Sequence, residues 1–313
     1  MDTESLGSFP LAGPLGSLPL AGRTLARLLS QVEAGSTDVS SAIKDLSPGK
    51  ARVIGLTGAP GVGKSTVTAA LVGQFRAAGQ RVAVLAVDPS SPFTGGALLG
   101  DRIRMQQHAT DEGVFIRSMA SRGHLGGLAA ATPQVVRVLD AAGFDIILIE
   151  TVGVGQAEVE IAAQADTVIV LLAPGMGDAV QAAKAGILET GDLFVVNKAD
   201  KPDVQQVVRD LRGMLALGSW ELGWKPLILT TVGADGTGIG EVVRALDAHW
   251  DWLNDSGQRE RRRLRRARAE ILALAIGSLR SRISTAALDE LAARVADGSL
   301  DPFAAAGELL SGD

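Results

Sequence analysis

Residues 52–66 read Arg52-Val-Ile-Gly-Leu-Thr57-Gly58-Ala-Pro-Gly-Val-Gly63-Lys64-Ser65-Thr66, and this stretch decides the fold. Arg52 to Thr57 is an apolar run of strand length. Gly58 to Ser65 fits the pattern G-x-x-x-x-G-K-[ST] in full, and Thr66 to Phe75 continues with helical spacing. A strand, a glycine-rich loop and a helix in that order make a phosphate-binding loop. Each residue type has a reason. The glycines let the backbone curl so that several N–H groups converge on phosphate oxygens. The helix N-terminus adds a favourable dipole. Lys64 is expected to reach the β- and γ-phosphates, and the Ser65 hydroxyl to bind Mg²⁺. Gly58, Ala59, Pro60, Gly61, Val62, Gly63, Lys64, Ser65 and Thr66 are therefore the expected phosphate cradle.

The chain around this loop alternates apolar strands with helical stretches. Strand readings fall at Arg52–Thr57, Arg81–Val87, Val114–Arg117, Phe144–Glu150, Thr167–Ala173, Leu193–Asn197 and Pro226–Thr230. Most are apolar throughout, as strands covered on both faces should be. The expected fold is α/β: a P-loop NTPase with a mainly parallel sheet flanked by helices, plus N-terminal and C-terminal helical extensions. Four segments are expected. Residues 1–22 form a proline- and glycine-rich tail, in which Gly7–Gly13 recurs as Gly16–Gly22. Residues 23–49 form a helical extension with Leu25, Leu28, Leu29 and Val32 on one face, and a second short helix is read at Asp38–Asp45. Residues 50–255 form the nucleotide domain and residues 256–313 a helical arm.

Composition narrows the function class. The net charge of −5 gives no bulk attraction to polyanions. The basic run Gln258–Arg268 lacks interleaved aromatics for base stacking and reads as a solvated helix face or an oligomer arm, so no nucleic acid is expected. With no cysteine, disulfides and thiolate metal sites are excluded. The longest apolar candidate, Thr167 to Pro174, is far short of the ~20 residues of a membrane helix. The start Met1-Asp2-Thr3-Glu4 lacks the basic residues of a signal peptide. A cytoplasmic protein without a membrane segment is expected.

Further strand ends supply the chemistry. Asp88 and Glu150 each follow an apolar strand and fall at the carboxyl edge of a parallel sheet, where ligands bind. Either can serve the metal. Gly153 is placed to offer its N–H to the γ-phosphate, which makes Glu150–Gly153 a sensor of nucleotide state. Asn197-Lys198-Ala199-Asp200 follows the strand Leu193–Val196. An aspartate there accepts from guanine N1–H and the 2-amino group, a donor pair that adenine lacks. Asn197 would tie the loop together, and the Lys198 stem would cover the base.

The chain resembles the MeaB/ArgK/MMAA family of P-loop GTPases. Beyond the general motifs, the resemblance is carried by Asp88-Pro-Ser-Ser-Pro-Phe-Thr-Gly-Gly96, Gly100-Asp-Arg-Ile-Arg-Met105, Phe115-Ile-Arg-Ser118 and Ser121-Arg-Gly-His-Leu-Gly-Gly127. Glu150-Thr-Val-Gly-Val-Gly-Gln156 and Pro174-Gly-Met-Gly-Asp178 add to it. It runs from about Arg23 to Trp252 and is weaker in the C-terminal arm. The resemblance implies a Mg²⁺-dependent GTP/GDP cycle and a chaperone role toward an adenosylcobalamin-dependent acyl-CoA mutase, methylmalonyl-CoA mutase by default. It implies gating of cobalamin loading, and a homodimer held by the helical arm. It also implies that Asp88, Asp101 and Glu150 serve the metal and catalysis together with Lys64, and that Gly177 to Lys184 respond to the partner. Where the family carries a Ser-Ala-type guanine loop, this chain has Val232-Gly233, whose backbone N–H is still expected to reach guanine O6. Val154 stands where Ras-like proteins place a water-orienting Gln, so slow intrinsic hydrolysis is expected. A small-molecule kinase using the same loop and a metal-insertase GTPase are the competing readings.

Overall fold

Why the sheet is buried is clear from its strands. In β1 (Arg52–Thr57), β4 (Ile146–Thr151), β5 (Thr167–Leu172) and β6 (Leu193–Val196) almost every side chain is out of water, whichever face it points to. Aliphatic runs of this kind need a helical layer on each side. The computed structural model describes residues 22–34, 46, 49–88, 108, 110–120, 131–151, 157–175, 190–217 and 223–311. The expected helix at 38–45 and the repeat in the N-terminal tail lie outside them.

With β2 (Val82–Asp88), β3 (Val114–Ala120) and β7 (Leu227–Thr230), these strands form a seven-stranded sheet in the order β3-β2-β4-β1-β5-β6-β7. Every pairing is parallel. β1 is central, and its register with β4 sets Leu56 beside Glu150. The strand after which the phosphate loop opens therefore neighbours the strand that ends on an acid. β7 is an edge strand and departs from the rule of full burial, with Leu227 and Thr230 exposed.

The described helices cover the two faces. α1 (Arg23–Glu33) buries Leu25, Leu28, Leu29 and Val32, the stripe its spacing predicts. It is pinned by Arg117 of β3, which donates to Glu33 Oε1 at 2.7 Å, Ala26 O at 3.0 Å and Ser30 Oγ at 3.1 Å. α2 (Lys64–Ala77) and α6 (Ile239–Asp255) pack on one face of the sheet through Val67, Leu71, Phe75, Ile239, Val242 and Leu246. α3 (Thr132–Ala141), α4 (Ala157–Gln164) and α5 (Val204–Leu217) contribute to the core on the other. Then come α7 (Gln258–Arg282), α8 (Thr285–Ala296) and α9 (Pro302–Ser311).

Contacts divide the chain into two compact units at Arg263–Leu264, within α7. In the second unit many large apolar side chains are exposed. Ile271, Leu272, Leu274, Ile276 and Leu279 of α7 are each more than half exposed, and Phe303 of α9 is 90% exposed. Among the described residues no helix is long and apolar enough to cross a membrane.

The edge of the sheet where the strands begin holds a polar network. Asp192, just before β6, accepts from Val168 N at 2.8 Å and from both terminal nitrogens of Arg262 at 2.7 and 2.8 Å. Arg262 also donates to Asp166 O. His249 of α6 is fully buried. Its Nδ1 is 2.8 Å from Thr167 Oγ1, and its Nε2 lies 3.3 Å from Asp192 Oδ1 without the alignment of a hydrogen bond. Burial alone would push the Asp192 carboxyl up. The Arg262 guanidinium, with the nearby His249 ring, instead holds it down at about 2. Trp224 and Trp252 pack on His249, and Trp250 lies between Arg52 and Arg259. The described late tryptophans thus serve packing at the root of α7.

Candidate functional site

The phosphate loop is held open by close backbone packing. Gly58 sits at φ 141°, and a Cβ there would run into Leu171 O. Gly63 sits at φ 94° as N-cap of α2, and a Cβ there would run into the Asn197 side-chain nitrogen. Both positions demand glycine, for conformation and for space. No side chain caps α2. The first N–H groups of a helix have no partner within it, so this end is built to receive an anion.

Lys64 is buried and folds back over the loop, donating to Gly58 O at 2.7 Å and Ala59 O at 3.1 Å. Its ammonium thus stands inside the cradle, where phosphate oxygens would exchange with the two carbonyls. Ser65 Oγ donates to Glu150 Oε1 at 2.6 Å. Thr68, one turn further along α2, places its hydroxyl 2.9 Å from Glu150 Oε2 and 3.0 Å from Lys64 O. Glu150 is buried at the end of β4. Thr151 donates to the Thr57 hydroxyl at 3.1 Å, tying the ends of β4 and β1 together.

The base motif is bonded to the phosphate loop rather than merely near it. Asn197 Nδ2 donates to Val62 O at 2.9 Å, and Lys198 Nζ to Gly61 O at 2.7 Å. Asn197 Oδ1 accepts from Thr231 Oγ1 and Gly233 N. Lys198 adopts φ 58°, an uncommon conformation for a lysine and typical of a functional loop. Asp200 is half exposed and, among the described residues, makes only a loose contact at 3.8 Å to Lys201. Its carboxylate is therefore open to a ligand.

Val232 pairs with Thr237 across a tight turn that presents Gly233 and Ala234. The Gly233 N–H is spent on Asn197. The next N–H, of exposed Ala234, meets no protein acceptor among the described residues. A cleft of about 500 Å³ opens beside this turn, bordered by Thr66, Ala70, Gly73, Gln74, Gly233 and Ala234.

The structure thus brings together the cradle residues 58–66, Glu150, Asn197, Lys198, Val232 and Gly233, with Asp200 on the same loop. The Asp88 backbone ends β2, two strands from β1. The Asp88 side chain, Asp101 and Gly153 lie outside what is described. Thr68 and Ala234 escaped the sequence reading. Thr68 carries a signal, since it stands i+3 from Ser65 and so on the same helix face. Among the described residues no three acidic or histidine side chains converge into a metal cage. A hydroxyl and a carboxylate at a phosphate loop do fit Mg²⁺, which takes one or two protein oxygens and completes its shell with phosphate and water.

Residues 25–288 match the family described as methylmalonyl Co-A mutase-associated GTPase MeaB. The chain belongs to that family. It is accordingly a GTPase. Relatives agree. A putative GTPase of Pyrococcus horikoshii is 47% identical over 266 residues, covering 83% of this chain and 84% of its own. The GTPase ArgK of Escherichia coli is 39% identical over 247 residues, 75% of this chain and 74% of its own. A methylmalonic aciduria type A homolog, mitochondrial, of Caenorhabditis elegans is 38% identical over 67% of this chain and 54% of its own. Among solved structures, one described as a LAO/AO transport system kinase superposes with a TM-score of 0.64 at 26% identity, covering 91% of both chains.

Proposed function

We propose that this GTPase is a cytoplasmic chaperone of an adenosylcobalamin-dependent acyl-CoA mutase, with methylmalonyl-CoA mutase as client. On this reading it couples GTP/GDP exchange to cofactor loading and to protection of the mutase. The observation that carries the client is the extent of the family match, which runs from α1 through the GTPase domain to the start of α8. The homology to a methylmalonic aciduria type A protein supports it.

The chemistry follows from the site. Lys64 leaves Gly58 O and Ala59 O for the β- and γ-phosphates, while N–H groups at the start of α2 hold the same oxygens. Ser65 and Glu150, together with Asp88 and Asp101, would hold Mg²⁺, and Gly153 would contact the γ-phosphate. Bound there, Mg²⁺ would neutralise charge on the phosphate oxygens. Asp200 reads guanine N1–H and the 2-amino group, Asn197 fixes the loop, and Lys198 covers the base. Since Gly233 is committed to Asn197, guanine O6 falls to the Ala234 N–H. With Val154 after the sensor glycine, hydrolysis waits for a partner to bring an acid, Glu150, Asp88 or Asp101, onto the attacking water. Intrinsic single-turnover rates stay below about 1 s⁻¹.

Residues 50–255 form the catalytic domain in this proposal, residues 1–22 a tail and 23–49 a helical extension. Residues 256–313 form a dimerisation arm, for which the exposed apolar row on α7 is the support. Sedimentation of the full chain tests the homodimer, and a monomer at micromolar concentration rejects it.

The deciding experiment is GTP turnover alone and with a methylmalonyl-CoA mutase from the same source. Stimulation by at least tenfold is expected. Unchanged turnover with GTP still bound removes that client. The name of the similar solved structure supports a second reading, phosphoryl transfer to a small acceptor. Free phosphate formed in equal amount to GDP rejects it.

A further inference from the structure

The geometry points to Thr68 as a positioning residue that holds Glu150 in the orientation a Mg²⁺–nucleotide complex needs. The inference rests on the reading of Ser65 and Glu150 as metal-site residues.

Thr68 is fully buried on α2, one turn after Ser65. The two hydroxyls face the same carboxylate and divide it, Ser65 at Oε1 (2.6 Å) and Thr68 at Oε2 (2.9 Å). A carboxylate held at one oxygen can swing about its last bonds. Held at both, its plane is fixed. This matters for Ser65. A hydroxyl has one proton and two lone pairs. While the Ser65 proton points to Glu150, its lone pairs are turned to the other sides of the oxygen. The orientation of Glu150 thus sets the orientation of the Ser65 acceptor.

Thr68 has an alternative. Its oxygen is also 3.0 Å from Lys64 O, the ordinary back-bond of a helical threonine. Its single proton cannot serve both acceptors fully. The bond to the carboxylate is charge-assisted and the stronger of the two. A threonine present only to satisfy the helix would need no carboxylate opposite it. Lys64 O belongs to the residue whose ammonium enters the phosphate cradle, so the same hydroxyl touches both halves of the site. Partners of this outer kind, removed singly, lower metal affinity by about 10–100-fold.

The test uses the full chain loaded with a fluorescent GDP analogue, whose release is followed across a Mg²⁺ titration and in excess EDTA. In Thr68→Val, which keeps the shape and removes the hydroxyl, the Mg²⁺ midpoint for retention should rise about tenfold. Retention in EDTA should be unchanged. Thr68→Ser should restore the wild-type midpoint. In a double-mutant cycle with Glu150→Gln, the shifts should be non-additive, because both changes break one contact.

An unmoved midpoint in folded Thr68→Val overturns the inference, as does an equal loss of retention with and without Mg²⁺, which would mark a packing role. If Thr68→Val does not fold, Thr68→Ala removes the same donor without adding a methyl and carries the same expectation. A wild-type protein whose GDP release ignores Mg²⁺ would overturn the metal reading itself, and this inference with it. The two failures are thereby distinct.

Discussion

Replacing Arg262 with methionine tests whether the network at the root of α7 stabilises the GTPase unit. Met is close in length and fills the apolar part of the space without the charge. Arg262 gives Asp192 two short hydrogen bonds, and the side chains are 20% and 8% exposed. Breaking a buried pair from one side costs about 3–5 kcal/mol, because the remaining charge is stranded. The low end applies here, since Asp192 keeps the Val168 N–H and Arg262 is partly wet. A second route agrees. The Asp192 carboxyl drops from 3.8 to about 2 in the fold. At about 1.4 kcal/mol per pH unit, that is about 2 kcal/mol of linkage stabilisation. A loss of about 2–3 kcal/mol should lower Tm by roughly 4–12 °C for a unit of this size.

The pH dependence has a definite sign. The folded value is depressed, so the Asp192 contribution is complete above the unfolded value of 3.8 and is lost as pH falls through about 2. The gap between wild type and Arg262→Met should therefore be full at pH 7 and shrink by about half at pH 3. Thermal melts of both proteins at the two pH values measure it. A Tm within about 1 °C of wild type at pH 7, or a gap that widens in acid, would refute the reasoning.

Gly63→Ala should damage phosphate and base recognition together, because the new Cβ meets the Asn197 amide that joins them. Calorimetry should show at least tenfold weaker GDP binding with the fold retained by circular dichroism. Lys64→Ala should abolish tight triphosphate binding, and unchanged GTP affinity would remove the ammonium from the phosphate site. Asp200→Asn should exchange guanine for xanthine preference, since an amide donates to the xanthine 2-oxo group. Competition between GTP and XTP reads it, and GTP binding equal to wild type would show that Asp200 does not touch the base.

How much of this was legible beforehand depends on the range over which each feature is encoded. The phosphate loop is local. Gly58, Gly63, Lys64 and Ser65 are fixed by one turn of backbone, so eight residues announce it. The parallel sheet is nearly as local, because double-sided burial writes itself as aliphatic runs in β1, β4, β5 and β6. β7 reads less cleanly, because as an edge strand it is buried only in part.

The clamp on Glu150 joins residues 82 and 85 positions apart, and the Asp192–Arg262 pair spans 70. The first is hinted at only by the i+3 spacing of Ser65 and Thr68, and the second leaves no mark on its own neighbourhood. Arg262 sits in a run of arginines whose composition says solvated helix, and only the sheet edge beneath it singles one of them out. Gly233 is a subtler case. A backbone N–H of the Val232–Gly233 stretch is expected to reach guanine O6, and the Gly233 N–H goes to Asn197, which holds Val62 O on its other side. In the proposed complex the next N–H, that of Ala234, is then the donor to the base. Asn197 is thus the fixed point of the site, satisfied on both faces before any nucleotide arrives. In the proposed complex Lys64 and Asp200 change partner on binding, one at the phosphates and one at the base.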